Sequence, residues 1–156
     1  MGRASNSWWG NILDAMQTVL YAGGWVARAS YSLGLQGKLR IDRQDIELPI
    51  RPHLAEPLRL AFASDIHAGP VTDPRMFDKL MRAIEDFAPH VLLLGGDFVS
   101  LHHRHIGILT RHFAQLRMPG GIFGVFGNHD LWVDDAFLTR ELQDAGVRIL
   151  VNECVR

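Results

Sequence analysis

Three short apolar runs of this sequence each end in a loop that carries Asp, His or Asn, and segments with helical spacing lie between them. The runs are Leu58 to Ala63, Val91 to Leu94 and Ile122 to Phe126, and a fourth run, Val147 to Val151, follows. The polar positions 65, 97 and 128 are 32 and 31 residues apart, close to the roughly 30 residues of a strand-helix-strand unit. This alternation predicts an α/β fold with parallel strands and right-handed crossovers.

Three helices are predicted between the four strands. The first has Asp73 as a plausible N-cap, Pro74 in its first turn and a stop at Ala88-Pro89. Its apolar face consists of Phe77, Leu80, Met81 and Ile84. The other two helices are expected at about Ile106 to Leu116 and Asp134 to Ala145.

Composition fits one globular domain and gives no indication of a nucleic-acid partner. The chain has 156 residues, of which 47% are hydrophobic, so it can build a core. Lys and Arg number 16 against 17 Asp and Glu, and the resulting net charge of −1 gives no electrostatic reason to expect a nucleic-acid partner. The one cysteine, Cys154, excludes an intrachain disulfide and fits a reducing compartment.

Residues 1–37 differ from the rest, because their only charged side chains are Arg3, Asp14 and Arg28 and they hold three of the four tryptophans. Apolar residues recur there at helical spacing and predict an amphipathic helix that Gly23-Gly24 interrupts or ends. They are Trp9, Ile12, Leu13, Met16, Val19 and Leu20.

Two interpretations of this helix stay open. The uncharged stretch from Ala15 to Ala27 is shorter than the roughly 20 apolar residues of a transmembrane helix, and Asp14 makes a signal peptide a poor fit. A helix edged by tryptophan can bind a membrane interface. Packing against the domain or against a partner protein explains the same face. We therefore expect a cytoplasmic protein, peripheral to the membrane under the first interpretation.

Residues 38–57 are interpreted as a linker with a possible strand, since Ile41, Ile46 and Leu48 partly alternate while prolines interrupt the pattern. Residues 58–156 then form the predicted α/β domain. The loops at the carboxyl ends of parallel strands converge on one crevice, where ligands bind. Such a crevice would bring together the side chains Asp65, His67, Asp97, Asn128 and His129. All offer oxygen or nitrogen donors, which favours a hard or borderline divalent metal.

At these loops the chain resembles the calcineurin-like metallophosphoesterases. Their pattern of Asp-x-His, Gly-Asp and Gly-Asn-His-Asp/Glu is matched here by Asp65-Ile66-His67, Gly96-Asp97 and Gly127-Asn128-His129-Asp130. The resemblance implies βαβ units that form the first half of a sheet sandwich flanked by helices. It also implies hydrolysis of a phosphomonoester, phosphodiester or pyrophosphate bond in a small-molecule or lipid-linked substrate.

The same resemblance implies two divalent metal ions (Mn, Fe or Zn). Asp65 and His67 would bind one ion, Asp97 would bridge both, and Asn128 would bind the second. His129 would contact the phosphate or protonate the leaving oxygen, and Asp130 would orient its ring. Such a metal pair, about 3.5–4 Å apart, activates water and stabilises in-line displacement at phosphorus.

The family pattern continues with a further His and a Gly-His-x-His segment that does not occur before Arg156. We therefore expect the C-terminal part of the domain to be absent, metal binding to be weak, and an exposed apolar sheet face that favours self-association. The alternative is a non-catalytic remnant or a membrane-docking binding module. An in-frame Gly-His-x-His segment downstream would favour the enzyme.

Overall fold

The fold is a parallel four-stranded sheet with helices against it. The computed structural model describes residues 8, 12, 15, 16, 19, 20, 24–36, 39–49 and 56–155. The strands are β1 (Leu60–Ala63), β2 (Val91–Leu94), β3 (Ile122–Gly124) and β4 (Val147–Ile149). They lie in the order β1-β2-β3-β4, and each neighbouring pair is parallel. The α/β class predicted from the alternating pattern is confirmed.

Four α-helices have defined bounds in the described part of the chain. They are α1 (Trp25–Ser32), α2 (Pro74–Phe87), α3 (Ile106–Phe113) and α4 (Asp135–Asp144). The predicted start of α2 is confirmed: Asp73 accepts a hydrogen bond from the backbone N–H of Arg75, and Pro74 has no N–H that would need an acceptor in the first turn. Ala88 ends α2 in the left-handed conformation just before Pro89.

One face of the sheet forms the core with these helices. Because side chains alternate along a strand, every second residue of β1 to β4 points to this face. Its buried members are Leu92, Leu94, Ile122, Val147 and Ile149, and they belong to the same cluster as Phe77 of α2, Leu109 and Phe113 of α3, and Leu138 and Leu142 of α4. The helices thereby fix the positions of the loops that follow the strands.

The opposite face of the sheet remains open. Phe62 pairs in register with Leu93, and Leu93 with Phe123, so these side chains form one row across three strands. Phe62 is 66% exposed and Leu60 48%, while Leu93 and Phe123 are only partly buried. Although β2 is wholly apolar, it is buried on one face only, because Leu92 and Leu94 are buried while Val91 and Leu93 are not. We call this row, with Leu60, the open face.

The N-terminal part contains helical residues outside the sheet domain. Trp8, Ile12, Met16, Val19 and Leu20 are helical and exposed, whereas the predicted Trp9, Leu13 and Gly23 lie outside the described residues. Gly24 adopts a left-handed conformation just before α1, as a break at this point requires. No helix within the described ranges is long and apolar enough to cross a membrane.

The linker is irregular where the structure describes it. Residues 39–49 have no regular secondary structure, and Ile41, Ile46 and Leu48 are exposed. The possible strand is therefore not formed at residues 39–49, which pair with none of the four strands in the described part of the chain.

The open face predicts self-association. Replacing Phe62 by Ser removes the most exposed aromatic ring from that face, so we expect weaker association of the 156-residue chain. Sedimentation velocity at several protein concentrations measures the change. Leu33→Ser is the matched control, since Leu33 is also highly exposed but follows α1. Equal association of wild type and Phe62→Ser would contradict the prediction.

Candidate metal centre

Backbone hydrogen bonds hold together the loops that follow β1 and β2. The N–H of Asp65 donates to the carbonyl of Gly96 at 3.1 Å, and that of His67 to the carbonyl of Asp97 at 2.9 Å. An isolated parallel bridge between Ala68 and Val99 extends the pairing beyond the strands. Asp65, His67 and Asp97 are therefore positioned by main-chain bonds as well as by side-chain packing.

Among the described residues, three side chains form a group able to hold a metal ion. One ligand atom from each of His67, Asp97 and His129 lies within 4.8 Å of the others. Nε2 of His67 is 3.7 Å from Oδ2 of Asp97 and 3.9 Å from Oδ1 of Asp65. The imidazole rings of His67 and His129 meet edge to face, with centroids 4.8 Å apart. The crevice predicted from the sequence thus brings together side chains from the loops after β1, β2 and β3.

The candidate ligands in the loops after β1 and β2 have an uncommon backbone conformation. The φ angles of Asp65, His67 and Asp97 are 56°, 49° and 54°, in the left-handed region that costs non-glycine residues about 1–2 kcal/mol each. Such conformations persist where surrounding contacts determine them, and they cluster at functional sites. Here the bonds between the two loops supply those contacts.

Two glycines let the loops after β2 and β3 approach each other. Gly96 has a φ of 89°, and a Cβ there would overlap the backbone nitrogen of Gly127. A Cβ at Gly127 would in turn overlap the carboxylate of Asp97. Only glycine fits at these contacts, which gives the Gly-Asp and Gly-Asn-His-Asp patterns a steric reason.

Asp97 is the centre of this arrangement. Its side chain is 13% exposed, and Oδ1 accepts a hydrogen bond from the backbone N–H of His129 at 3.0 Å. Oδ2 is the oxygen that faces His67. The Asp97 carboxylate, in the loop after β2, therefore contacts the loops after β1 and β3.

The structure corrects the role expected for Asp130. Its buried carboxylate accepts hydrogen bonds from the backbone N–H groups of Phe98 and Gly127, at 2.9 and 3.0 Å, and from that of Val99 at 3.3 Å. Burial raises the pKa of Asp130, and the backbone donors oppose this effect. The carboxylate is thus engaged by the main chain and joins two loops. It does not orient the ring of His129.

A carbonyl orients the His129 ring instead. Nδ1 of His129 lies 2.8 Å from the carbonyl oxygen of Ser100. Since a carbonyl only accepts, Nδ1 carries the proton and Nε2 is left to bind a metal or a substrate. Trp132 packs beside the same ring, with centroids 4.5 Å apart. Sequence reasoning missed both contacts, because neither Ser100 nor Trp132 belongs to a loop motif.

The other two predicted ligands, Asp65 and Asn128, are exposed to solvent. Asp65 is exposed, and Oδ2 accepts a hydrogen bond from the Ser64 hydroxyl at 2.6 Å. Asn128 is exposed between Gly127 and His129. The donors at the centre are imidazole nitrogens and carboxylate oxygens, a set that fits Mn, Fe or Zn.

The role of Asp130 predicts a loss of stability on substitution. In Asp130→Asn one accepting oxygen becomes an NH₂ donor, which faces the backbone N–H of Gly127 or those of Phe98 and Val99. We expect the free energy of unfolding to fall by about 1–3 kcal/mol, the cost of an unsatisfied buried polar group. Urea denaturation measures it, with the exposed Asp144→Asn as control. Equal stability of Asp130→Asn and wild type would refute this role.

The chain resembles several known proteins. It is 32% identical over 117 residues to an uncharacterized metallophosphoesterase of Aquifex aeolicus, covering 75% of this chain and 44% of the relative. It is 32% identical over 93 residues to the UDP-2,3-diacylglucosamine pyrophosphatase LpxG of Chlamydia trachomatis, covering 59% and 28%. A transmembrane protein with metallophosphoesterase domain of Danio rerio is 26% identical over 93 residues, covering 58% and 21%. The chain thus spans less than half the length of these relatives.

No solved structure matches the chain significantly. The family model of the calcineurin-like phosphoesterases matches residues 58–153, which include all four strands and every candidate ligand. The chain therefore belongs to the calcineurin-like phosphoesterase family.

Proposed function

We propose that this chain carries the first part of a metal-dependent phosphoesterase site. The observation that supports the proposal is the convergence of His67, Asp97 and His129 within 4.8 Å at the carboxyl ends of parallel strands. Membership of the calcineurin-like phosphoesterase family and the nitrogen and oxygen donors of this group both support metal-dependent hydrolysis of a phosphate ester. The rival function is a non-catalytic remnant or binding module.

Each side chain has a proposed role. Asp65 and His67 would hold one divalent ion, Asp97 would bridge two ions, and Asn128 would bind the second. When bound, the ions would activate water and neutralise charge on the phosphoryl oxygens. Two ions need more donors than these four residues offer, so we expect full activity only when further donors are supplied.

His129 is proposed to act on the substrate through Nε2. The Ser100 carbonyl retains the proton on Nδ1, so a second proton on Nε2 makes the ring an imidazolium. In that state Nε2 can donate to a phosphate oxygen or protonate the leaving oxygen. The contact with Trp132 limits rotation of the ring during this transfer.

The proposed substrate is a phosphorylated small molecule or a lipid-linked phosphate ester. The Chlamydia relative is named for a pyrophosphatase activity on a diacylated sugar nucleotide, which supports the lipid-linked class. The net charge of −1 gives no support for nucleic acid.

Metal binding tests the proposal directly. We expect weak binding of Mn²⁺ by the 156-residue chain and at least about tenfold weaker binding by Asp97→Asn, since even outer-shell substitutions typically cost 10–100-fold in affinity. Calorimetric titration measures both, and the exposed Asp86→Asn on α2 is the matched control. Equal heats for wild type and Asp97→Asn would remove Asp97 from the site. Hydrolysis of an aryl phosphodiester with Mn²⁺ by a chain extended with the further donors, lost when that chain carries Asp97→Asn, would separate the enzyme from a binding module.

We also propose that the N-terminal helical residues bind a membrane surface from the cytoplasm. Trp8, Ile12 and Met16 recur at intervals of four residues, and Val19 and Leu20 continue the same stripe, all of them exposed. An exposed apolar stripe edged by tryptophan is typical of helices that lie in a bilayer interface.

Binding to lipid vesicles tests this location. Two carboxylates in Ile12→Glu/Met16→Glu interrupt the apolar stripe, so we expect most co-sedimentation with phosphatidylcholine vesicles to be lost. Gln115→Glu/Gln143→Glu is the control, because it adds the same charge at exposed positions in the α/β domain. Unchanged sedimentation of the Ile12/Met16 variant would exclude the proposed surface.

A further inference from the structure

We infer that Gln36, Leu39 and Arg40 form one wall of the substrate cleft, with Arg40 binding a phosphate oxygen and Leu39 contacting an apolar substrate group. This inference rests on the proposed function and adds a recognition surface outside the family motifs. It names an amphiphilic phosphate ester as the substrate class.

The cleft lies beside the candidate metal centre. Its volume is about 430 Å³, and the residues that line it include Asp65, His67, Leu39 and Arg40. Val71, from the loop between β1 and α2, completes the apolar part of the wall. A substrate whose phosphate is held at Asp65 and His67 would therefore extend toward residues that precede the family domain.

Gln36 fixes this wall to the domain. Its Nε2 donates to the carbonyl of Val71 at 2.8 Å, and its Oε1 accepts from the N–H of Asp73 at 3.2 Å. The same Nε2 is 3.0 Å from the carbonyl of Ala27 in α1. One side chain thus joins α1 to the loop that leads from His67 to α2.

A second set of contacts holds α1 in place. The guanidinium of Arg75 pairs with the buried carboxylate of Asp73 through two contacts, of 2.9 and 2.8 Å, and these hydrogen bonds lower the pKa of Asp73. The guanidinium carbon of Arg75 also lies 4.3 Å from the ring centroid of Tyr31 in α1. The hydroxyl of Thr72 then donates to the carbonyl of His67 at 2.9 Å, which connects this network to a candidate ligand.

The chemistry of the wall indicates what it binds. Gln36 and Thr72 use their polar groups within the protein, so they offer little to a substrate. Arg40 donates from Nε to Asp42 at 3.0 Å, and both side chains are mostly exposed. A guanidinium has five N–H donors in a fork that matches phosphate oxygens. Leu39, Val71 and Met76 are apolar and line the same cleft, so they suit a hydrocarbon substituent.

Binding of hexyl phosphate and inorganic phosphate tests the inference. Calorimetric titrations use the full 156-residue chain with and without Mn²⁺. We expect Arg40→Ala to weaken hexyl phosphate binding about tenfold, the effect of losing one charge-assisted contact worth about 1.4 kcal/mol, and Arg40→Lys to retain part of the affinity. Leu39→Ser should weaken hexyl phosphate more than inorganic phosphate.

Arg43→Ala is the matched control. Arg43 lies in the same irregular segment, but its guanidinium sits 5.9 Å from the ring centroid of Phe87, away from the cleft. Wild-type affinity in Arg40→Ala, an equal loss in Arg43→Ala, or no binding of hexyl phosphate by the wild type would each overturn the inference. The comparison of hexyl phosphate binding between wild type and Arg40→Ala in the absence of Mn²⁺ does not depend on metal binding. A chain that fails to bind Mn²⁺ therefore contradicts the proposed function and not this cleft.

Discussion

The site depends on one buried carboxylate that joins two loops. Asp130 follows β3, yet its oxygens accept backbone N–H groups from Phe98 and Val99 after β2 and from Gly127 within its own loop. These bonds hold the residues next to Asp97 and His129 at a fixed separation. Without them, the polar N–H groups of a buried loop would lack partners, at a cost of about 1–3 kcal/mol each. Order in the candidate metal centre is thus an outcome of backbone hydrogen bonding.

Much of the α/β domain could be predicted from the sequence because its signals are local. Alternation of apolar runs with helical segments predicts the four parallel strands, and an Asp followed by Pro predicts the start of α2. Three strands are shorter than predicted, whereas β2 has the predicted bounds: β1 begins at Leu60, not Leu58, β3 ends at Gly124, not Phe126, and β4 ends at Ile149, not Val151. Hydrophobicity continues past the last paired residue, so composition cannot mark where pairing stops.

The roles within the site could be predicted only in part. Convergence of the loops follows from parallel strands, and the structure brings Asp65, His67, Asp97 and His129 together as expected. The partner of Asp130 could not be predicted, because it is chosen by contacts between loops 31 and 32 residues apart. The adjoining glycines are the signal that was available, since Gly96 and Gly127 allow the approach that makes those contacts.

Charge and backbone conformation together would couple the binding of a cation to the fold. Asp65 and Asp97 place two carboxylates near the same imidazole nitrogen of His67, and all three residues adopt left-handed conformations. Those conformations are unfavourable by themselves, and repulsion between the carboxylates adds to the cost. The hydrogen bonds between loops and the buried Asp130 offset it, so the donors are already arranged when a cation arrives. A cation that binds this arrangement, and not the unfolded chain, would stabilise the fold by an amount that grows with its concentration relative to its dissociation constant.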